Sequence, residues 1–328
     1  NEIAFSSSVA SGTIFIQGRG CTYIFHNSTI PADVTVIFED SATLVNQDNT
    51  STLMVYGKLV NSQFRIRQIT GAKTQNLQLG SGAVLERPLF LPTTFDGTGG
   101  IATPVGIAQA NSVRIIDMTI KPYTTISANA MNYFTLNNST DVLFSRPIVE
   151  APVSVGGTDS VLFELRSGRV FIDGGLIHLK NSLLHCLAQG VTFSSSTGYS
   201  LTNTTIYDEF GSSGQMVWLQ MVNNTGLAMS SSVFVSNVSI IKRLANITDY
   251  FKQTTANGEI ISSAIYDNIT VSDLTGTRNG VFINLADAGS VGTVITNCKV
   301  RNMTTFLTNN GLGTVFTSRL NLLDNTGQ

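Results

Sequence analysis

Hydrophobic and polar positions alternate along this chain in short segments that recur about every thirty residues. Seven of these segments align so that one small polar residue stands at the same place in each. These polar residues are 28 to 34 positions apart and are Asp117, Ser145, Asp173, Asn203, Asn237, Asn268 and Asn297. The residues two positions before and three positions after each of them are apolar in all seven segments. The chain therefore carries an internal repeat of a strand, a tight bend and a second strand.

Such a repeat predicts an all-β fold in which successive units stack directly on one another. Strands at equal positions of neighbouring units then pair in parallel at about 4.8 Å, and like residues stack on like. We therefore predict a right-handed parallel β-helix, a solenoid with coils of about 28 to 34 residues. The Asn and Asp residues at the bends are expected to turn inward and bond the amides of neighbouring coils, which is a structural role.

Composition agrees with stacked strands and narrows the choice of partners. Only 12% of the residues are charged, 42% are hydrophobic, and the net charge is −2. Long exposed helices usually carry more charge, and nucleic-acid-binding proteins usually carry a basic patch, which is missing here. No apolar stretch reaches the roughly 18 residues that a membrane helix needs. We therefore expect no nucleic-acid partner and no membrane insertion.

Signals for cofactors and metals are also missing. The three cysteines, Cys21, Cys186 and Cys298, are far apart and lack the paired spacing of a metal or redox site, so we interpret them as buried free thiols. No phosphate-binding glycine loop or nucleophile elbow is recognisable. The sequence therefore predicts neither a cofactor nor a metal. Because it opens on Asn1 and Glu2 rather than on a start Met, we expect it to be part of a longer protein.

The chain before residue 110 is less regular than the chain after it. We predict that residues 1–110 form entry strands and irregular first coils, and that residues 111–328 form the regular coils. The entry contains Pro31, the strand-like segment Val34–Glu39 and, further on, the sequence Gly-Lys-Leu-Val at 57–60. This opening resembles the entry into the β-helix of phage tailspikes and other pectin-lyase-like proteins.

The resemblance implies a tailspike or receptor-binding protein that binds and hydrolyses a bacterial surface polysaccharide. It also implies a homotrimer, located on the virion tail surface or otherwise extracellular. It does not extend to the pectin-degrading branches. The Asp-Asp, Asn-Thr-Asp, Gly-His-Gly and Arg-Ile-Lys motifs of polygalacturonases are absent, and so is the Trp-x-Asp-His segment of many pectate lyases. Catalytic candidates therefore have to come from the repeat itself.

The repeat aligns a titratable residue five positions after the bend in five successive coils. These residues are Glu150, His178, Asp208, Lys242 and Asp273. In one groove, Glu150 and Asp208 would be about 10 Å apart, close to the spacing of acid and base in an inverting glycosidase. His178 would tune either pKa, Glu209 is a substitute for one of the two roles, and Lys242 and Asp273 would contact substrate. The alternative is a surface ion ladder that contributes little energy.

A second polar column lies on the strand that precedes the bend. Its residues are Glu164, His185, Gln220 and Asn284. Period-two alternation places them on the outer face, where they are candidate substrate-binding residues. Trp218 shares this face with Gln220, which favours a stacking surface for a sugar ring, although a single Trp is more often a core residue.

Three functions stay open at this point. The first is a phage-type tailspike or receptor-binding protein that acts as an endo-glycosidase, for which the carboxylate column is the evidence. The second is a non-catalytic carbohydrate-binding adhesin or structural virion fibre, which the scarcity of carboxylates favours. The third is a polysaccharide lyase in which Lys242 or Arg243 neutralises a uronate.

Overall fold

The computed structural model shows an all-β chain whose strands pair in parallel. The structure describes residues 2–3, 9–18, 20–39, 41–48, 50–66, 68–69, 75–92, 94–96, 101–121, 125–126, 130–150, 161–180, 182–189, 197–210, 213–222, 230–256, 260–286, 292–310 and 314–323. Within these ranges no helix is long and apolar enough to cross a membrane. The predicted parallel β-helix is confirmed, because strands separated by one coil of sequence lie side by side throughout.

Each coil has three faces, which we call sheets 1, 2 and 3. Sheet 1 precedes a tight first corner, sheet 2 follows it, and sheet 3 follows the second corner. The strands confined to sheet 1 are Gly12–Gln17, Val34–Glu39, Lys58–Val60, Val84–Glu86, Arg114–Ile116, Thr197–Thr202, Thr293–Thr296 and Val315–Ser318. Those of sheet 2 are Glu2–Ile3, Thr22–Phe25, Thr43–Asn46, Gln63–Arg65, Leu89–Phe90, Thr119–Ile120, Ile148–Val149, Leu176–Leu179, Thr205–Asp208, Lys299–Arg301 and Asn321–Leu323.

Sheet 3 and a set of long strands complete the coils. Sheet 3 contains Ser28–Ile30, Leu53–Val55, Leu77–Leu79, Val105–Ala108, Ser182–Gln189, Gly214–Val222, Ile247–Ala256, Val281–Leu285 and Thr305–Asn309. Four long strands bend through two sheets and are Ala130–Ser145, Val161–Asp173, Ser230–Lys242 and Ile260–Asp273. The remaining strands are Ile101–Ala102, which pairs with Ala130–Ser145, and a separate ladder of Gln68–Ile69, Thr94–Asp96 and Thr125–Ile126.

The first corner has a residue with a left-handed backbone at the same position of each coil. The φ angles lie between 49° and 75°, and the residues are Gly20, Ser41, Asn61, Arg87, Asp117, Arg146, Gly174, Asn203, Asn237, Asn268, Asn297 and Arg319. This conformation is unfavourable for most L-residues and is tolerated best by Gly, Asn and Asp. The recurrence of Asn in the repeat therefore has a backbone cause.

Two of the seven predicted bend residues are displaced by one position. Ser145 and Asp173 each stand just before the corner, which is occupied by Arg146 and Gly174. An alignment by small polar side chains misses these two because Arg is large and Gly has no side chain. The one-residue error exchanges inside and outside in these coils: Ile148, which the alignment places in the apolar column three positions after the bend, is 44% exposed, and its neighbour Val149 is buried.

The corner side chains bond from coil to coil but do so on the outside. Asn203 Nδ2 donates to Asp173 Oδ1 at 2.7 Å, Asn237 Nδ2 to Asn203 Oδ1 at 3.2 Å, and Asn268 Nδ2 to Asn237 Oδ1 at 2.7 Å. The prediction of bonds between coils is confirmed, whereas the prediction that these side chains turn inward is wrong, since Asn203, Asn237 and Asn268 are exposed. At a tight left-handed corner the side chain projects away from the core.

The interior of the solenoid is filled by stacked apolar side chains. Phe134 packs on Phe163 of the next coil with ring centroids 5.4 Å apart, and Cys186 and Cys298 are buried free thiols, as predicted. Cys21 is only half-buried. Pairing continues across residue 110, for example between Val84–Glu86 and Arg114–Ile116. The boundary at that residue stays a prediction.

Candidate functional site

The predicted column of five titratable residues divides into two. Asp208 pairs with Leu179 and Lys242, whereas His178 pairs with Tyr207. The cause is the displaced alignment at Gly174 and Arg146, which places Glu150 and His178 four positions after their corners rather than five. Because alternate residues of a strand face opposite sides, Glu150 and His178 point outward while Asp208 and Lys242 point inward. The predicted acid and base pair of Glu150 and Asp208 on one face is therefore wrong.

The inward residues form a buried polar cluster at the second corner. Asp208 and Lys242 are both fully buried. Tyr250 Oη donates to Asp208 Oδ2 at 2.9 Å, and the backbone N–H of Phe210 donates to Asp208 Oδ1 at 3.3 Å. Lys242 Nζ donates to the carbonyl oxygens of Thr277 at 2.6 Å and Asn302 at 3.1 Å. The cluster ties the turn at one coil to the two coils that follow it.

Burial governs the protonation of these groups. Loss of water raises the pKa of Asp208 to about 6, against the lowering effects of the Phe210 and Tyr250 bonds and of Lys242. Burial also lowers the pKa of Lys242, which the nearby Asp273 and Asp208 carboxylates partly counteract. For Asp273, burial acts to raise the pKa, but bonds donated by Thr275 and Asn302 outweigh it and leave the pKa below its usual value.

These positions argue against the substrate roles predicted for the inward residues. The side chains of Asp208 and Lys242 have no exposed surface, so a polysaccharide on the outer face does not reach them. Asp273 is half-buried, accepts bonds from the backbone N–H and the hydroxyl of Thr275 at 2.8 and 2.7 Å, and accepts another from Asn302 Nδ2. All three residues hold the second corner together, and a lyase that uses Lys242 is excluded on the same ground.

The outer face of sheet 2 carries a stack of a histidine, an aromatic ring and a cation. The His178 and Tyr207 rings are parallel within 19° with centroids 4.5 Å apart, and the Arg243 guanidinium lies 4.1 Å from the Tyr207 centroid on the next coil. Glu209 Oε1 connects the ends of this stack, at 3.3 Å from His178 Nδ1 and 2.5 Å from Arg243 Nη1. Glu150 lies one coil before His178 and forms an ion pair with Lys121.

The outer face of sheet 3 carries a continuous row of polar and aromatic residues. Consecutive strand pairings align Glu164 with His185, His185 with Trp218, Trp218 with Lys252, and Lys252 with Asn284. Successive members are about 4.8 Å apart along the axis. In the predicted second column, His185 and Asn284 are half-buried on the outer face, whereas Glu164 is in register with them but buried. Gln220 is on the same face but two positions further along its strand, in line with Leu187 and Thr254.

Trp218 is outward, as predicted, but its ring faces are already covered. The His185 ring lies parallel to it within 10° at 4.7 Å, and Lys252 Nζ lies 5.2 Å from the indole centroid. The indole Nε1 donates to Thr254 Oγ1 at 2.9 Å. A sugar ring that stacked on Trp218 would have to displace Lys252 or His185, so the prediction of an open stacking platform is wrong. Trp218 instead orients its two neighbours.

Further hydrogen bonds and an ion pair hold the polar groups of the side chains in this row. Glu164 is 5% exposed, accepts from Asn132 Nδ2, and pairs with Arg166 at 2.9 Å. His185 Nε2 lies 3.3 Å from Gln220 Oε1. Asn284 Nδ2 donates to Asp249 Oδ1 at 2.8 Å. These bonds hold the donors and acceptors of the row in fixed positions.

Sequence reasoning missed Lys252 and Tyr207 as members of these two surfaces. Lys252 follows two buried aromatic residues in Tyr-Phe-Lys-Gln, and an alignment of the strands of sheet 3 places it beside Trp218. Both stacks span the same three coils, because each contains one residue from the coils that begin at Gly174, Asn203 and Asn237. No cluster of metal-ligating side chains occurs in the part of the chain that the structure describes.

No family model matches the sequence, and no curated protein sequence matches it either. Solved catalytic domains of GH87 α-1,3-glucanases are similar in structure. One in complex with tetrasaccharides gives a TM-score of 0.54 at 11% identity, over 98% of this chain and 69% of that one. Two others are in complex with nigerose. One has a TM-score of 0.55 at 11% identity, over 98% of this chain and 69% of that one. The other has a TM-score of 0.52 at 10% identity, over 95% of this chain and 64% of that one. At this identity the likeness shows the fold, a parallel β-helix.

Proposed function

We propose that the protein binds a long polysaccharide along the outer faces of sheets 2 and 3. The observation that carries the proposal is the row from Glu164 to Asn284, in which a carboxylate, an imidazole, an indole, an ammonium and an amide group follow one another at successive coil steps. A linear chain of sugars presents hydroxyl groups at regular intervals, and a solenoid face offers partners at regular intervals along the same direction. The β-helix glucanase domains solved with bound saccharides support this use of the scaffold.

Retention of purified bacterial surface polysaccharides in affinity electrophoresis tests the proposal. We expect at least one polysaccharide to be retained, and the double substitution His185→Ala with Lys252→Ala to weaken retention about tenfold or more, since central side chains dominate binding. Arg114→Ala is the matched control, because Arg114 is an exposed cation on sheet 1. Equal retention by all variants, or none by the native protein on a broad panel, would refute the proposal.

Hydrolysis is the second candidate function, and the outer face of sheet 2 favours it. Glu150 and Glu209 stand on either side of His178 on this face, two coils or about 10 Å apart along the axis, near the separation used by inverting glycosidases. Glu150→Gln and Glu209→Gln should each reduce the release of reducing ends at least 100-fold if these groups act as acid and base. Retention without release by the native protein would leave the adhesin or fibre alternative.

The tailspike assignment is also part of the proposal, as a homotrimer at the virion tail surface or elsewhere outside the cell. Its support is the resemblance of the opening strands and an outward apolar row on sheet 1, where Phe234, Ile265, Val294 and Phe316 are in register. Light scattering of the intact protein should give three times the chain mass of 35.1 kDa. A monomeric mass would contradict the trimer.

A further inference from the structure

The early coils of sheet 3 contain a cavity of about 210 Å³ on their outer face. The residues that line it include Met54, Tyr56, Gln78, Gly80, Ser81 and Gln109. This volume is below the roughly 300 Å³ at which pockets for drug-sized ligands begin, so the cavity fits one small unit rather than an oligomer.

Tyr56 provides a flat aromatic wall in this cavity. The side chain is 40% exposed, although large aromatic side chains are usually buried. Its ring lies directly on the Gly80 backbone, since a Cβ added to Gly80 would be 2.3 Å from both Cδ1 and Cε1 of the ring. Only glycine allows this contact. The ring is therefore held against the sheet and lines the cavity, unlike the Trp218 ring, which has His185 and Lys252 on its two sides.

The polar groups around the cavity are neutral. Among the described residues that line it, none carries a charge, and the polar members are the Tyr56 hydroxyl, the Ser81 hydroxyl and the carboxamides of Gln78 and Gln109. Gln78 Nε2 donates to the Gln75 carbonyl at 3.3 Å. The row from Glu164 to Asn284 differs, because it contains charged groups. Amides and hydroxyls both donate to and accept from sugar hydroxyls.

The cavity is in register with the row already described, and the intervening positions Gly106 and Thr135 are buried. Strand pairing aligns Gln78 with Gly106, Gly106 with Thr135, and Thr135 with Glu164 at the start of the row. Gln78 and Trp218 are thus five coil steps apart, or about 24 Å along the axis. A single disaccharide does not span this distance, but a polysaccharide that lies along sheet 3 does.

We infer that the cavity at Tyr56 is a second saccharide site on sheet 3, specific for an uncharged sugar unit whose C–H face packs on the Tyr56 ring. The inference rests on the proposed function, since it assigns one end of the same polysaccharide-binding surface. Gln78 and Gln109 would bond the hydroxyls of that sugar, and the absence of a cation in the lining would discriminate against uronates and other acidic sugars.

Saturation-transfer NMR with a panel of neutral disaccharides, including nigerose, tests the site, with digalacturonate as the acidic comparison. We expect a neutral disaccharide to bind and Tyr56→Ala to weaken it roughly 3- to 10-fold, the effect of losing one aromatic contact. Gly80→Ala should have a similar effect, because its methyl group displaces the ring without removing it. Tyr56→Phe should retain most of the affinity, and Phe15→Ala, an exposed aromatic on sheet 1, should change nothing.

The inference is overturned if no neutral disaccharide binds, if digalacturonate is preferred, or if Tyr56→Ala and Gly80→Ala, verified as folded by circular dichroism, bind normally. The two proposals fail separately. Polysaccharide retention that depends on Lys252 but not on Tyr56 removes this site and leaves the proposed function. Disaccharide binding that depends on Tyr56, without any polysaccharide retention, would support this site and refute the proposed function.

Discussion

The first corner has a residue with a positive φ at the same position of every coil, whereas the second corner changes in length and chemistry from coil to coil. Between sheets 2 and 3 the chain inserts two residues after Leu179, five after Asp208, four after Lys242 and seven after Asp273. The first corner exposes its amide side chains, and the second buries a carboxylate and an ammonium group. The first corner repeats because every coil needs a left-handed residue at that tight turn.

The two corners also differ in what they contribute to stability. Equivalent residues at the first corner each stabilise one coil interface, so their contributions are small and additive. The second corner buries the charged residues Asp208 and Lys242, which belong to two of the three coils that carry the stacks of histidine, aromatic ring and cation. We therefore expect substitutions at the second corner to lower the free energy of unfolding more than those at the first, by an amount that depends on pH.

Lys242→Met tests the second corner with the largest expected effect. The substitution removes the donor for the carbonyls of Thr277 and Asn302 and leaves buried Asp208 without its neighbouring cation. Removing one partner from such a buried arrangement typically lowers the free energy of unfolding by roughly 3–5 kcal/mol. Urea denaturation measures this loss.

The exposed residue Lys299 provides the control for that experiment. Lys299→Met makes the same substitution on the outer surface, and it should change the free energy of unfolding by no more than about 0.5 kcal/mol. If Lys242→Met is as stable as the native protein, then the buried ammonium group does not hold the corner, and the contrast between the corners fails.

The pH dependence of stability tests the carboxylate at the same corner. Burial raises the pKa of Asp208 to about 6, above the value of about 3.9 in the unfolded chain. Between these values the folded protein binds more protons, so the contribution of Asp208 is fully present below about pH 4 and is lost as the pH rises toward 6. The linkage amounts to about 3 kcal/mol. Urea denaturation from about pH 4 to 7 should show that Asp208→Asn removes this component.

Tyr250→Phe sharpens the same measurement. The Tyr250 hydroxyl donates to Asp208 Oδ2 and thereby lowers the pKa of this carboxyl. Its removal should raise the pKa of Asp208 further, so that the loss of stability extends to higher pH than in the native protein. An unchanged pH profile in the Tyr250→Phe variant would show that another group titrates in this range.

The first corner and the core were largely predictable from sequence, since both repeat. The alignment failed only at Arg146 and Gly174, where the corner residue is not small and polar. In a strand, one such error exchanges the two faces, and it was sufficient to combine outward Glu150 with inward Asp208 in one false column. The prediction of the fold is unaffected by this error, because the other five coils are sufficient to establish the repeat period.

The candidate site was less predictable, because its register depends on the second corner. The strands of sheet 3 follow turns of different length, so counting from the first corner does not align them. Alternation alone placed Glu164 and His185 on the outer face but did not show that Lys252 lies beside Trp218. The coverage of the indole by its neighbours is a tertiary contact between coils, and no periodicity in the sequence indicates it.

Asn237→Ala tests the first corner and has the smallest expected effect. Asn237 has a φ of 56° and both donates to Asn203 and accepts from Asn268 on the exposed surface. Alanine should lower the free energy of unfolding by about 1–2 kcal/mol, because it loses these bonds and resists the left-handed backbone. Asn237→Gly loses the same bonds but accepts the backbone, so urea denaturation should show a smaller loss. A glycine variant less stable than the alanine variant would mean that the exposed amide bonds, rather than the backbone conformation, select Asn at this corner.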